Sequence, residues 1–376
     1  MSKQKTELAD IFSQSSHLLD NISFAQKKVI RAITTCRTKV LGGHLEKCSS
    51  CSFEKNSYNS CRNRHCPKCQ FLTKEKWIEK RSEDLLPCPY FHVVFSVPSQ
   101  LRNLIFKNKR EGSNLMFKAA AATLKEAAAN PKNLGAEIGF IGILHTWTQD
   151  LRFHPHLHFL VPAGGLTPKG DWKQSSEKFF LSVKILSKMF KGKLLSSIEK
   201  HPDLILPKEM SLKDILVAAA KPEWVVYSKQ PFAGPEQVIK YLGHYTHRIA
   251  ISNYRIVKHE GGKVYFKVRD KKNEGKSKIC VLEETKFMRR FLLHVVPKGY
   301  TRIRHFGILG TRSKTKKLAQ IRQLLGVKDK AKSVEKTTWQ EDLEEITGID
   351  AQQCPKCKVG KLRKVIELPV SIKNTS

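Results

Sequence analysis

The 376-residue sequence is short of long hydrophobic runs, of acidic residues and of nucleotide-binding loops. No apolar stretch approaches the roughly eighteen residues needed for a bilayer span. The longest, such as FHVVFSV and IGFIGIL, are strand-sized, so no membrane-spanning segment is expected. The start, MSKQKTELADIF, breaks any apolar core with charges and reads against a secretory leader. There is no GxxxxGK[ST] loop, so chemistry driven by a P-loop-bound nucleotide is not expected. Acidic residues number 34 against 68 Lys and Arg, a net charge of +34. Self-repulsion of that size calls for a polyanion, and nucleic acid is the commonest one. An anionic membrane surface would need a basic amphipathic helix with bulky anchors, and none stands out. These features predict a cytoplasmic, nucleoid-associated protein with DNA as its partner and no membrane contact. A homo-oligomer is compatible with them. A 40% hydrophobic content at this length is enough for a sizeable core and two or three domains.

Along the chain, two amphipathic stretches over 7–35 predict helices. A Cys/His-rich segment fills 36–70, and TKEKWIEKRSEDLL reads as a linking helix ended by Pro87 and Pro89. YFHVVFSVP (90–98) alternates as a strand, and NLMFKAAAATLKEAAAN is helical by propensity up to Asn130-Pro131. IGFIGILHTWTQ and RFHPHLHFLV predict a hairpin turning near 150–153. GPEQVIKYLGHYTHRIA (234–250) predicts a helix with Pro235 at its first position. NYRIVK and KVYFKVRD form a second hairpin across Gly261-Gly262. The expected boundaries are a helical and zinc-binding domain over 1–86, a catalytic domain over 87–328, and a charged tail over 329–376.

The ten cysteines are clustered. In a chain expected to be intracellular, clustered CxxC pairs read as metal ligands rather than disulfides. Cys48-x2-Cys51 and Cys66-x2-Cys69 are the two close pairs, and four thiolates around one Zn(II) make a closed, structural site. Cys36, His44, Cys61 and His65 are left to hold a second zinc. His44 and His65 read equally well as surface or phosphate-contacting residues. Arg62 and Arg64, fixed between ligands, are placed to touch DNA phosphates, or else to offset the thiolate charge. The CPKC at Cys354 and Cys357 has no partner pair nearby in sequence. It reads as half a ribbon completed by distant residues or a second chain, or as no site at all. Cys88 and Cys280 read as small buried residues.

FHPHLHFLVPAGG (153–165) places His154, His156 and His158 at two-residue spacing, on one face of a strand. Two imidazoles do not fill a divalent coordination sphere. Gln149, across the turn, is the expected third ligand, with His145, His154 and His92 as rivals. Such a site keeps positions open for water or substrate oxygen. Tyr241 and Tyr245 lie at i and i+4 on one helical face. They are either core rings or nucleophiles, and a phenol with its ordinary pKa near 10 needs a polarised phosphodiester to attack. Arg302, Arg304 and Arg312 read as phosphate contacts, and Trp147, Trp172 and Trp224 as core.

Taken together, YNSCRNRHCPKCQ, YFHVVFSVP, HTWTQDLRFHPHLHFLVPAGG, YLGHYTHRIAISNYRI and HVVPKGYTRIRHFGILG resemble the rolling-circle insertion-sequence transposases. Those proteins carry an N-terminal zinc-binding domain and an HUH endonuclease domain. The resemblance spans about 30–328, in matching order. It implies an α+β fold: an antiparallel five-stranded sheet flanked by helices, with the histidine pair on a central strand and the tyrosine helix over it. It further implies His156 and His158 as ligands of Mg(II) or Mn(II), and Tyr241 and Tyr245 as the nucleophiles. The implied reaction nicks and rejoins single-stranded or hairpin DNA ends of a mobile element through a 5′-phosphotyrosine, while structural Zn(II) stays in the knuckles. The rival readings are a plasmid replication initiator or relaxase using the same chemistry, and a zinc-dependent DNA-binding protein without catalysis.

Overall fold

The computed structural model describes residues 6–175, 181–229, 243, 250–270, 276–327 and 338–371. Its helices are α1 (Leu8–Ser15), α2 (Phe24–Thr35), α3 (Gln70–Ser82), α4 (Ser99–Lys107), α5 (Lys109–Ala129), α6 (Val183–Glu199), α7 (Leu212–Ala220), α8 (Glu284–Leu292), α9 (Lys314–Leu324) and α10 (Trp339–Thr347). Its strands are β1 (Gly43–Cys48), β2 (Glu54–Tyr58), β3 (Tyr90–Ser96), β4 (Gly139–Trp147), β5 (Phe153–Pro162), β6 (Gly164–Leu166), β7 (Trp172–Gln174), β8 (Val226–Lys229), β9 (Ile256–Glu260), β10 (Lys263–Arg269), β11 (Ser277–Glu283), β12 (Ile303–Gly307) and β13 (Leu362–Leu368). The class is α+β with antiparallel sheets, as expected. The expected helix over 234–250 lies outside the described residues, apart from Gly243, which is helical and buried, and Ala250, a buried bend.

The chain forms two compact units, and both are discontinuous in sequence. One draws on 1–77, 247–295 and 332–376, the other on 78–246 and 296–331. The linear boundaries at 86 and 328 therefore differ from the observed grouping. The hairpin after residue 250 and the C-terminal segment both join the N-terminal unit.

In that first unit, α2 begins with a reciprocal capping box between Ser23 and Gln26, which satisfies helix-end N–H groups that would otherwise lack partners. Helix α1 meets α8 through Phe12 and Phe291, edge to face at 5.6 Å. Strands β9, β10 and β11 form an antiparallel sheet. Its β9–β10 turn is Gly261-Gly262, both at positive φ, the conformation that glycine adopts without steric cost. Glu284 ties these pieces together, accepting from Ser15 Oγ at 2.5 Å and from His259 Nε2 at 2.7 Å.

The second unit holds a five-stranded antiparallel sheet in the order β12-β4-β5-β3-β8, so the histidine strand β5 is central. Side-chain alternation gives it two unlike faces. Phe91, Val93 and Phe95 of β3 share one face with Phe140 and Leu144 of β4 and with Leu157, Phe159 and Val161 of β5. They bury against Leu101 and Leu104 of α4, Phe117 of α5, and Phe190 and Leu194 of α6. Gly142 is required for this packing, since a Cβ there would lie 2.5 Å from the Phe159 ring. Trp147 and Trp224 are buried, as expected of core residues, and Trp172 is half-buried. Cys88 is buried, while Cys280, expected to be buried, is half-exposed on β11. No described helix is long and apolar enough to cross a membrane.

Hydrogen bonds from Ser15 and then His259 hold the Glu284 carboxyl below its ordinary range. A depressed carboxylate contributes stability above its unfolded value and loses it as pH falls through its folded value. Glu284→Gln should therefore lower the melting temperature by about 2–4 °C at pH 7. That deficit should shrink as melts are repeated at progressively lower pH, below the ordinary glutamate range. A deficit that is equal at every pH would show that the charge is not the source.

Candidate functional site

The site on the central sheet is built by register. Strand β5 pairs with β3 so that His156 faces Ser96 and His158 faces Val94. On its other side β5 pairs with β4, where His145 faces His156 and Ile143 faces His158. A bulge between His145 and Trp147 interrupts this second ladder. Continued inward from Trp147 and Phe153 without that bulge, the register would set Leu144 opposite His156. The extra residue turns His145 onto the histidine face instead.

The result is a cluster of three imidazoles, His145, His156 and His158, whose ligand nitrogens all lie within 4.8 Å of one another. Their rings are 4.5–5.5 Å apart at steep angles. His145, one of the expected rivals to Gln149 as third ligand, is the residue brought into the cluster. Gln149 lies in the turn beyond the end of β4, whereas His145 stands directly opposite His156. His154 flanks His156 at 5.1 Å between ring centres and is not part of the triad. His92 adds an outer contact, its Nε2 lying 2.8 Å from Nδ1 of His158, with the two rings parallel at 5.1 Å.

Two hydrogen bonds aim the ligand nitrogens. His156 Nδ1–H donates to the backbone carbonyl of His154 at 2.7 Å, leaving Nε2 as the lone-pair nitrogen. The contact of His158 Nδ1 with His92 Nε2 fixes the orientation of the His158 ring. Metal-ligating histidines are commonly fixed in this way through their second nitrogen. Burial lowers the basicity of His156. It also brings His92 down to about 4, helped by the Lys229 charge and by His156. These rings are therefore neutral near pH 7, the form that binds a cation. Three imidazoles converging on one point fit a divalent cation with coordination positions left open.

Tyr241 and Tyr245 lie outside the described residues. Arg312 is exposed, whereas Arg302 is half-buried. Arg304 sits on the helix-covered face of the sheet, over the Phe117 ring at 4.4 Å and donating to Asn114 Oδ1 at 2.5 Å. Its guanidinium is thus engaged with Phe117 and Asn114.

The cysteines assemble differently from the linear pairing. Cys36, Cys61, Cys66 and Cys69 form one group of four, and Cys48 and Cys51 join Cys354 and Cys357 in another. The two N-terminal CxxC pairs thus do not share a site. His44 and His65 belong to neither group. His44 pairs with Glu46 at 3.2 Å, and His65 is buried beside Cys66. In the first group, Cys36 caps the C-terminus of α2, and its sulfur lies 3.4 Å from that of Cys69. The Cys61 sulfur is 3.6 Å from Cys69. The thiols share protons unequally. A hydrogen bond from Cys61 holds Cys36 down to about 7, and one from Cys36 holds Cys69 well below the usual thiol range. The bond with Cys36 pushes Cys61 and Cys66 up. Four sulfurs this close ionise together only around a cation, and the all-thiolate donor set suits zinc. Arg62 and Arg64 are exposed on the loop between these ligands.

The fold and sites define a class: one chain that carries a histidine triad on an antiparallel sheet and a thiolate-rich zinc-binding unit. Residues 6–97 match the family described as "Transposase zinc-binding domain", and residues 139–317 match the family described as "Putative transposase". The chain is 43% identical over 379 residues to "Putative transposase y4qJ" of Sinorhizobium fredii (strain NBRC 101917 / NGR234), covering 96% of this chain and 95% of that protein. It is 29% identical over 307 residues to "Transposase for insertion sequence element IS801" of Pseudomonas savastanoi pv. phaseolicola, covering 79% and 74%. No solved structure matches. The chain belongs to the IS91/IS801 family of insertion-sequence transposases.

If the register sets the ligands, His145→Ala should weaken Mn(II) binding to the full chain by about tenfold or more. Gln149→Ala should leave binding unchanged. Titration followed by Mn(II) electron paramagnetic resonance separates the two. Equal losses in both variants would return Gln149 to the ligand set.

Proposed function

We propose that this transposase nicks and rejoins single-stranded DNA at the ends of a mobile element through a tyrosine–DNA intermediate. The observation that carries the reading is the convergent triad of His145, His156 and His158 on the central strands of an antiparallel sheet. A divalent cation bound there would polarise a non-bridging phosphate oxygen and offset its charge. The imidazole donors favour Mn(II) over Mg(II), which prefers an oxygen shell. His92 acts by orienting His158, and the His154 carbonyl by orienting His156.

Tyr241 and Tyr245 are the proposed nucleophiles. The phenolic oxygen of one attacks phosphorus and loses its proton to solvent. The bond from phosphorus to the 3′-oxygen breaks, and that oxygen leaves as a 3′-hydroxyl. The 5′-phosphate remains on the tyrosine as an ester, which conserves the bond energy of the cut strand. A later attack by a 3′-hydroxyl reforms a phosphodiester and returns the phenol. No nucleotide triphosphate is consumed, in keeping with the lack of a P-loop.

Zinc in the thiolate unit holds the loop that presents Arg62 and Arg64. These two residues and Arg312 supply phosphate contacts whose strength falls with salt. A chain with this excess of positive charge associates with the nucleoid in the cytoplasm. Family membership favours transposition over plasmid replication initiation or relaxase activity, and the triad favours catalysis over binding alone.

The decisive experiment incubates the full chain with labelled single-stranded DNA carrying element ends, in Mn(II). A denaturation-resistant protein–DNA adduct is expected. It should disappear in the Tyr241→Phe, Tyr245→Phe double variant and fall about a hundredfold or more in His156→Ala. An adduct surviving in the double variant moves the nucleophile elsewhere. If wild type forms none, the binding-only reading stands.

A further inference from the structure

The second group of cysteines joins residues from near the two ends of the sequence, and no family match covers all four. The family match to the zinc-binding domain stops at residue 97, whereas Cys354 and Cys357 lie beyond residue 350. The structure assigns Cys48, Cys51, Cys354 and Cys357 as a second structural zinc site, a clasp that locks the C-terminal segment into the N-terminal unit.

Sulfur geometry carries the assignment. The Cys48 and Cys357 sulfurs are 3.7 Å apart, as are those of Cys51 and Cys354. A tetrahedron with zinc–sulfur bonds of about 2.3 Å has edges of about 3.8 Å. A disulfide would bring two sulfurs to about 2.05 Å, so these are not cystines. All four sulfurs lie within 4.8 Å of one another.

Each CxxC turn has the backbone of a metal knuckle. The Ser50 N–H points at Cys48 Sγ and the Gly360 N–H at Cys357 Sγ, both at 3.3 Å. Such N–H groups stabilise thiolates rather than thiols. Gly360 is required at its position, since a Cβ there would sit 2.4 Å from Cys48 Sγ. The two knuckles are joined directly, with Ser49 N–H donating to the Lys361 carbonyl at 2.9 Å and Lys361 N–H to Ser49 Oγ at 3.0 Å. Beyond them β13 pairs antiparallel with β1, matching Cys48 with Leu362 and Gly43 with Leu368.

Apolar burial does not explain this docking. Of β13 only Leu362 is buried, and Val365 and Ile366 are about half exposed. A strand that brings so little apolar surface has little hydrophobic reason to stay paired. The buried feature of the segment is Cys354, at 0% exposure, and its use is as a ligand. Lys356, Lys358 and Lys361 are neighbours of these ligands in sequence, a local positive charge suited to a doubly negative zinc tetrathiolate.

The test counts metal in the full chain. Elemental analysis of the purified protein should find two zinc ions per chain. The Cys354→Ser, Cys357→Ser double variant should hold one, with the segment after residue 350 becoming open to limited proteolysis. One zinc in the wild type, or two in the variant, overturns the assignment. A measurement independent of variant folding loads the wild-type chain with 113Cd. Two resonances, both in the tetrathiolate range, are expected, and a single one overturns the proposal. Neither readout depends on the nuclease reaction, so the clasp stands or falls apart from it.

Discussion

The register of three strands is the constraint on which the catalytic reading depends. On β5 the odd-numbered Leu157, Phe159 and Val161 enter the helix-covered core, and the even-numbered His156 and His158 face the other way. A slip of one residue would bury the imidazoles among phenylalanines and expose the apolar set. The aromatic cluster of Phe95, Phe117, Phe140 and Phe159 forbids that slip through packing alone. The hydrophobic core therefore does more than stabilise the unit. It fixes which side of the sheet carries the ligands, and the bulge beside His145 then completes the triad from the neighbouring strand.

Electrostatics follows from that placement. Burial disfavours the protonated forms of His92 and His156, and at His92 the neighbouring Lys229 charge adds to the effect. The net charge of +34 favours association with polyanions. Arg304 shows the limit of reading charge as contact, since its guanidinium is engaged by Phe117, Tyr300 and Asn114.

What the sequence revealed was local. The two-residue period of the histidines, the hairpin around them and the helix closing at Asn130 are all set by neighbours within a turn or two, and all are present. The five-stranded sheet and the central place of β5 came from the ordered set of motifs rather than from any one of them. What stayed hidden is non-local. The extra residue of the bulge lies on β5, between Phe153 and His156, where Pro155 is its one local mark. The partner it brings opposite His156 is not legible from spacing, so His145 stood only as a rival to Gln149. Thiol partnerships obey space rather than spacing. Cys48-Cys51 and Cys66-Cys69 look like one site because they are close in the chain, yet each pair finds its partners elsewhere. The grouping of 247–295 with the N-terminal helices rests on contacts such as Glu284 with Ser15, which no periodicity foretells.

The separation of those thiol partners bears on how the protein holds together. Cys51 and Cys354 are 303 positions apart. Closing a loop of that length costs a free chain about 6 kcal/mol by the usual logarithmic rule, less where folded units already bring the ends near. Strand β13, exposed along most of its length, has little burial with which to meet that cost. Structural zinc bound by four thiolates is worth about 10–16 kcal/mol in small folded units near pH 7. The balance favours the ion over the sheet as the agent that retains the C-terminal segment. It also places four of the ten cysteines under a constraint that neither the catalytic sheet nor the N-terminal helices supply.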